Sequence, residues 1–405
     1  MIKGETFVCL ALNTWESDHM NTLVQMMTVL SKENKVLYVD YQYTYKDLIS
    51  AMGGGRKLPL RKVAGLEDRL TRIETKYGSE VHVLNVPPIF PYNWVKNIPI
   101  YDRVLSLNAH LIKDTISKAL KSMCMTEPIV ISGYNPFFGL KLAGEFNEKL
   151  NVYYCYDEIK GDQWYNFHGP RIEQEYMKKT DLVITTSDAL YESKSDFHGN
   201  CYVVKNGVDF NLFNQVAWER PLNREKKVVG YTGSIDERFH TNMVVHAVQN
   251  LPETEFLFVG RVTNHSAAAA ISRFPNVKLL GSRKPEEIPG FIKDIDVGII
   301  PYLKNEVTKG VYPLKINEYL AAGCSVVMSN FANLSDFKDL ISVAGTKEEF
   351  LNSITKELAN DNEEQRRARI HLASSNSWEH RVEEFSQILL AKLSMKKQAD
   401  HVRSA

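Results

Sequence analysis

From end to end the chain alternates short apolar runs with helical patterns, and this alternation restricts the fold more than any other feature. In the first half the runs are Phe7–Leu12, Val36–Asp40, Val81–Val86, Ile129–Ser132, Val152–Asp157, Leu182–Thr186 and Tyr202–Lys205. They are rich in Val, Ile and aromatics and show little polar alternation, the pattern of parallel strands covered on both faces. Segments between them, such as Asn21–Leu30 and Gly139–Leu150, carry helical periodicity. The pattern restarts with Lys226–Thr232, Glu255–Gly260, Val277–Gly281, Asp296–Pro301 and Ser325–Ser329, separated by Asn242–Asn250, Ala267–Phe274, Glu286–Asp294 and Leu314–Ala322. Strand, helix, strand in succession predicts α/β architecture: two doubly wound, Rossmann-like domains built on parallel sheets.

A length of 405 residues suits two domains. The expected boundaries are 1–210 and 222–376, with Asp209–Glu225, which contains Pro221, as linker. A last helix is expected over 377–395, where Trp378, Val382, Phe385, Leu389 and Leu393 fall on one stripe, and the polar tail after Ser394 is expected to fray. Thr346 and Glu349 have capping-box spacing ahead of another late helix.

Composition excludes several classes. A hydrophobic fraction of 44% with 24% charged residues is that of a globular chain, and 49 basic residues balance 49 acidic ones, leaving no global field for nucleic acid. The five cysteines form no Cys-x-x-Cys pair and read as buried thiols of a reducing compartment. No run approaches the roughly 18 apolar residues of a membrane span. The N-terminus leads straight into a strand, so no signal peptide is expected and the chain is placed in the cytoplasm.

In open α/β sheets ligands bind beyond the carboxyl ends of the strands, so the loops there are where chemistry is sought. The run Thr308-Lys-Gly-Val-Tyr-Pro-Leu-Lys-Ile-Asn-Glu-Tyr-Leu-Ala-Ala-Gly323 predicts a helix with Pro313 in its first turn and Gly323 at its end. Its N-terminus would offer amides from Gly310 through Val311 and Tyr312 to Leu314 to an anion, with Lys315 as counter-charge and Glu318 on the same face for a ribose diol. The same spacing also describes an ordinary helix with a surface Lys–Glu pair. Gly233 would let a substrate approach the backbone, Arg238 and Arg261 are phosphate candidates, and Tyr302 is a candidate wall for a nucleobase. In the first half Asp157 stands at a strand tip, where it serves as a general base or equally as a helix cap or loop ion pair. Trp15, His19 and Asn135 follow other strands and are candidates to hold a sugar acceptor. Other chemistries lack their signatures: there is no Gly-x-Gly-x-x-Gly after a strand, no P-loop, no metal-ligand spacing and no Gly-x-Ser-x-Gly.

Asn206-Gly-Val-Asp209, Val259-Gly-Arg261 and Pro313-Leu-Lys-Ile-Asn-Glu-Tyr-Leu-Ala-Ala-Gly323 together resemble the GT-B glycosyltransferases, and most closely their bacterial capsule and exopolysaccharide members. Val152-Tyr-Tyr-Cys-Tyr-Asp157 is similar to the strand that bears the proposed base in the glucuronosyltransferase of xanthan assembly and its relatives. The resemblance implies two facing Rossmann-like domains, a nucleotide-sugar donor held mainly by the C-terminal one, a glycan or lipid-linked acceptor held by the N-terminal one, a final helix crossing back to the first domain, and no cofactor or bound metal. It implies that Glu318 holds the ribose, Lys315 the diphosphate and the amides of Gly310–Tyr312 the phosphates. Many retaining relatives carry Glu eight residues before the ribose Glu. Gly310 stands there instead, which favours an inverting route with Asp157 as base. A nucleotide-sugar epimerase and a non-catalytic sugar-nucleotide binder are the rival readings. The basic, leucine-interleaved stretch Arg56-Lys-Leu-Pro-Leu-Arg-Lys62 allows peripheral contact with an anionic membrane.

Overall fold

The structure is a computed structural model. It describes every residue except 18, 19, 55–57, 162–164, 166, 220, 223, 338 and 405, and no side chain beyond 399. The chain divides into two compact units, the first comprising Met1–Ser17, Asn21–Lys205 and Val382–Ala405, the second chiefly Asn206–Arg381.

The first unit is built on β1 (Thr6–Ala11), β2 (Lys35–Val39), β3 (Leu70–Glu74), β4 (Glu80–Leu84), β5 (Ile129–Gly133), β6 (Leu150–Cys155), β7 (Leu182–Thr185) and β8 (Cys201–Val203). They form one sheet in the order β3-β4-β2-β1-β5-β6-β7-β8, parallel throughout except that β3 runs antiparallel to β4. The strand order reverses direction between β1 and β5. Strand β3 was not expected from the sequence: Leu-Thr-Arg-Ile-Glu is charged and half-exposed, as an edge strand can be. Its turn into β4 is closed by the Thr75 amide bonding the Ser79 carbonyl (2.8 Å). The 25-residue helix Ile98–Ser122, capped by Asn97, buries Tyr101, Leu105, Ala109, Ile112, Ile116 and Ala119 along one stripe.

The second unit carries β9 (Val228–Thr232), β10 (Glu255–Val259), β11 (Val277–Leu279), β12 (Val297–Ile300), β13 (Ser325–Ser329) and β14 (Ser342–Ala344), all parallel, in the order β11-β10-β9-β12-β13-β14. Its switch point lies between β9 and β12. The three-residue β14 also escaped the sequence pattern, being too short for a periodic signal. Thr346 and Glu349 form the expected capping box of the helix Lys347–Asn360.

Two expectations need correction. The stretch Asp209–Glu225 is no free linker: Asp209 caps a short helix, Phe210–Asn214, and Phe213 and Ala217 are buried in the second unit's core. The final helix runs from Trp378 to Ser404 without ending near Ser394. Lys396 anchors this stretch, bonding the Asp181 carboxylate (3.0 Å) and the Lys149 carbonyl (2.9 Å). Cys9, Cys155, Cys201 and Cys324 are buried thiols outside any disulfide, and Cys124 is exposed.

The second unit depends on one close approach. Gly298 in β12 lies under the Tyr319 ring, so a Cβ there would sit 2.7 Å from it. The ring's hydroxyl reaches the Thr232 amide at 2.8 Å. Overpacking of this kind costs about 1–3 kcal/mol. Gly298→Ala is therefore expected to destabilise the second unit by that amount in urea denaturation, and a wild-type midpoint would show that the ring yields freely.

Candidate functional site

The second unit gathers its candidate residues at the switch point. The helix Leu314–Ala321 has Pro313 as its N-cap with no side-chain hydrogen bond, so its open amides are those of Leu314 and Lys315. This corrects the expectation for Gly310 and Val311. A separate short helix, Glu306–Lys309, precedes them, and both their amides donate to the Thr308 carbonyl (3.1 Å for Val311) in its closing turn. Tyr312 is buried beside Phe337, and its carbonyl accepts from the Asn206 side chain (2.9 Å). These three residues shape the approach to the helix, and the first two do not offer their amides to an anion.

Lys315 crosses the end of β9. Its Cε passes so near Gly233 that a Cβ there would stand 2.2 Å away, and Gly260 presses on Gly233 in turn, leaving room for the Gly233 carbonyl only because Gly260 carries no side chain. Gly260 adopts φ +154, a conformation that favours glycine. Gly233 thus makes room for a lysine of its own chain. The Lys315 ammonium donates to the Tyr302 hydroxyl (3.0 Å). Tyr302 was expected to wall a nucleobase pocket, but it is 2% exposed, with its ring against Phe331 and its carbonyl held by Ser329 (2.6 Å). Arg238 lies over that ring at 5.3 Å and grips Asp236 at 2.6 Å. Burial alone would raise the Tyr302 phenol, but Lys315 and Arg238 outweigh it and hold it below its ordinary value. Arg261 lies two residues beyond β10 with an exposed side chain, and its carbonyl accepts the Ile235 amide (2.9 Å).

Glu318 lies one turn beyond Lys315 and is 9% exposed. No hydrogen bond reaches its carboxyl among the described residues. Burial pushes that carboxyl up to about 7, while Lys315 acts in the opposite direction. A buried carboxyl without a partner is costly to keep, and such groups concentrate at functional sites.

In the first unit Asp157 is half-buried beyond β6, and its Oδ1 accepts the Glu158 amide (3.0 Å). Its neighbour Glu158 is tied down by Lys194 (3.2 Å), whose buried ammonium also meets Glu173 at 2.8 Å. Glu173 in turn accepts the Tyr153 hydroxyl (2.7 Å). Trp15 is half-buried, edge-on to Tyr38 at 5.1 Å, with its amide on Asp40 (2.8 Å). Asn135 is fully buried, caps the helix Pro136–Leu142 and donates to Gln42 (3.0 Å), so its expected acceptor contact is replaced by a structural one. His19 lies outside the described residues. Asp236, Tyr302 in its bonding role and Glu158 carried no sequence signal beyond standing near strand ends, and Tyr231 within β9 and Glu173 and Lys194 on their helices carried none.

A parallel six-stranded unit with an acidic and a basic residue on the switch-point helix, joined in one chain to a second α/β unit, is the architecture of the GT-B class. Whole-chain likeness supports that fold. The structure matches a Rickettsia africae glycosyltransferase with a TM-score of 0.66 at 12% identity, over 97% of this chain and 99% of that one. It matches Anabaena HepE, solved with UDP and glucose, with a TM-score of 0.63 at 13% identity, over 96% and 100%. It also matches a UDP-forming α,α-trehalose-phosphate synthase of Burkholderia xenovorans, with a TM-score of 0.65 at 11% identity, over 96% and 100%. Within this fold, residues 226–360 match the family described as glycosyl transferases group 1. TuaH of Bacillus subtilis (strain 168), named as a teichuronic acid biosynthesis glycosyltransferase, is 34% identical over 173 residues, 40% of this chain and 44% of TuaH. The match therefore spans less than half of that relative.

The Glu318 carboxyl yields a pH prediction. Its folded value, about 7, exceeds its ordinary 4.5, so folding favours the neutral acid. The stability this contributes is complete below pH 4.5 and is lost as pH rises through 7. Glu318→Gln does not titrate, so relative to wild type it should gain about 2–3 kcal/mol of unfolding free energy between pH 5 and 8. Parallel pH profiles for the two proteins in chemical denaturation would show that Glu318 is solvated.

Proposed function

We propose that the protein is a glycosyltransferase that moves a sugar from a nucleoside diphosphate, UDP- or GDP-linked, to a hydroxyl of a glycan or lipid-linked acceptor in cell-surface polysaccharide synthesis. The observation that carries this reading is Glu318, buried and with no hydrogen bond to its carboxyl among the described residues, one turn from a lysine laid across the strand ends. A ribose diol donates to such a carboxylate, and a diphosphate is the anion that Lys315 and the adjoining helix amides suit. HepE, whose structure holds UDP and glucose, shares the fold. The segment matching the group 1 family covers both residues.

In this reading the second unit holds the donor and the first the acceptor. Asp157 takes the acceptor proton as the new bond forms, and Lys315 with the amides of the switch-point helix stabilises the negative charge growing on the departing diphosphate. Trp15 offers a ring to the acceptor sugar. Asp157→Asn keeps the shape and removes the basicity, so it should bind UDP or GDP normally and lose turnover by about 10²–10⁴-fold. Calorimetric titration beside a donor-consumption assay checks both halves. Near-normal turnover would remove Asp157 from the mechanism. Tight donor binding with no acceptor-dependent turnover would favour the epimerase or the non-catalytic binder.

Membrane contact belongs to the same proposal. The helix Tyr45–Met52 buries no residue and presents Tyr45, Ile49 and Met52 on one face, with Ile49 72% and Met52 79% exposed. Phe90, also exposed, touches Tyr45 at 5.4 Å. Arg61 and Lys62 follow on the next helix, Leu60–Val63, while Arg56 and Lys57 lie outside the described residues. An exposed apolar face followed in the chain by basic residues, of which Arg61 pairs with Glu67, suits an anionic lipid surface. Ile49→Asp with Met52→Asp should reduce cosedimentation with phosphatidylglycerol vesicles by about ten-fold or more, since both apolar contacts are replaced by charges that lipid repels. Equal sedimentation of wild type and variant would exclude this face.

A further inference from the structure

We infer that Tyr302 is a positioning residue for the donor diphosphate, acting through Lys315; this rests on the donor-site reading above. Lysine side chains are flexible, and an ammonium free to wander makes a poor fixed counter-charge. Here the route of the chain is set at each step. Gly233 leaves clearance over the end of β9, since a Cβ there would lie 2.2 Å from Cε and 2.7 Å from Nζ. The ammonium then rests 5.6 Å and 5.7 Å from the ring centroids of Tyr231 and Tyr302 and donates to the Tyr302 hydroxyl at 3.0 Å. Tyr302 can act as a fixed post because Ser329 holds its carbonyl and Phe331 its ring. Its hydroxyl shares a hydrogen bond with Tyr231, whose own hydroxyl donates on to the Ser234 carbonyl (2.9 Å).

The chemical nature of the post matters. A carboxylate in place of the phenol would pair with Lys315 and cancel its charge. A phenol orients the ammonium through its hydroxyl oxygen and, while it keeps its proton, adds no charge of its own to cancel that of the lysine. The nearest acid on the same loop, Asp236, is already taken by Arg238 at 2.6 Å. No carboxylate lies within ion-pair distance of Lys315 among the described residues. The site is thus prepared for a polyanion before one arrives, which reduces the ordering cost at binding.

The test is a double-mutant cycle read by calorimetry with UDP, GDP and inorganic pyrophosphate, using the full chain. Lys315→Ala should weaken the better nucleotide by about 10–100-fold, and Tyr302→Phe by about 5–30-fold, as for the loss or loosening of a charged contact. The decisive arm is the pair: Tyr302→Phe in the Lys315→Ala background should bind within about two-fold of Lys315→Ala alone, because the tyrosine acts only through the lysine. The parent nucleoside, which lacks phosphate, should bind Tyr302→Phe and wild type alike. Should Tyr302→Phe not fold, Tyr302→Met, which also lacks the hydroxyl, is read in its place in the same two backgrounds. Full affinity in Tyr302→Phe, or an equal loss in both backgrounds, overturns the proposal while leaving the donor site standing. Unchanged affinity in Lys315→Ala, or no binding to wild type, overturns the donor-site reading and this inference together.

Discussion

The second unit hangs on how closely one helix approaches the ends of two strands. Leu314–Ala321 can descend onto the sheet only where side chains are missing beneath it: Tyr319 lies on Gly298, Lys315 on Gly233, and Gly233 on Gly260. The descent brings the Tyr319 hydroxyl to the Thr232 amide and carries Glu318 below the surface. Position of the candidate donor residues and packing of the core are therefore one arrangement. Interiors packed at crystal-like density transmit a shift in any member to the others.

The first unit solves a different problem. The loop after β6 must hold a carboxylate at a strand tip, and it does so through a neighbour. Glu158 is bound to a buried lysine that is itself balanced by Glu173 and Tyr153. Buried charges persist when paired and hydrogen-bonded. Here the pairing ties the loop to the helices Gly169–Met177 and Asp188–Ser195, which carry Glu173 and Lys194. Asp157 stands beside this anchored residue with its own Oδ1 on the Glu158 amide.

Most strands were legible because buried parallel strands are almost purely apolar, so Phe7–Leu12 and Val297–Ile300 announce themselves by composition. The charged edge strand Leu70–Glu74 and the three-residue Ser342–Ala344 were not, since neither buries enough to leave a pattern. For the site, Lys315 and Glu318 were visible by spacing on one helix. What spacing could not show was which partners they would meet from other strands. The Tyr302 contact joins residues thirteen apart in sequence, and the Tyr319–Thr232 contact joins residues 87 apart. Pairings of that kind come only from the fold. The amides of Gly310 and Val311 were misread for a local reason: the short helix Glu306–Lys309, capped by Asn305, takes them for its own closing turn.

If Glu318 receives the donor's hydroxyls as proposed, its buried carboxyl also ties binding to the proton content of the surroundings. With its value raised to about 7, the empty site near neutral pH is a mixture of acid and carboxylate. A ligand whose hydroxyls donate to Glu318 selects the ionised form, so each binding event expels a fraction of a proton into the buffer. The heat of binding then includes the heat of protonating whatever buffer takes up that proton. Measured enthalpies will differ between phosphate and Tris at the same pH even though the contacts formed are identical.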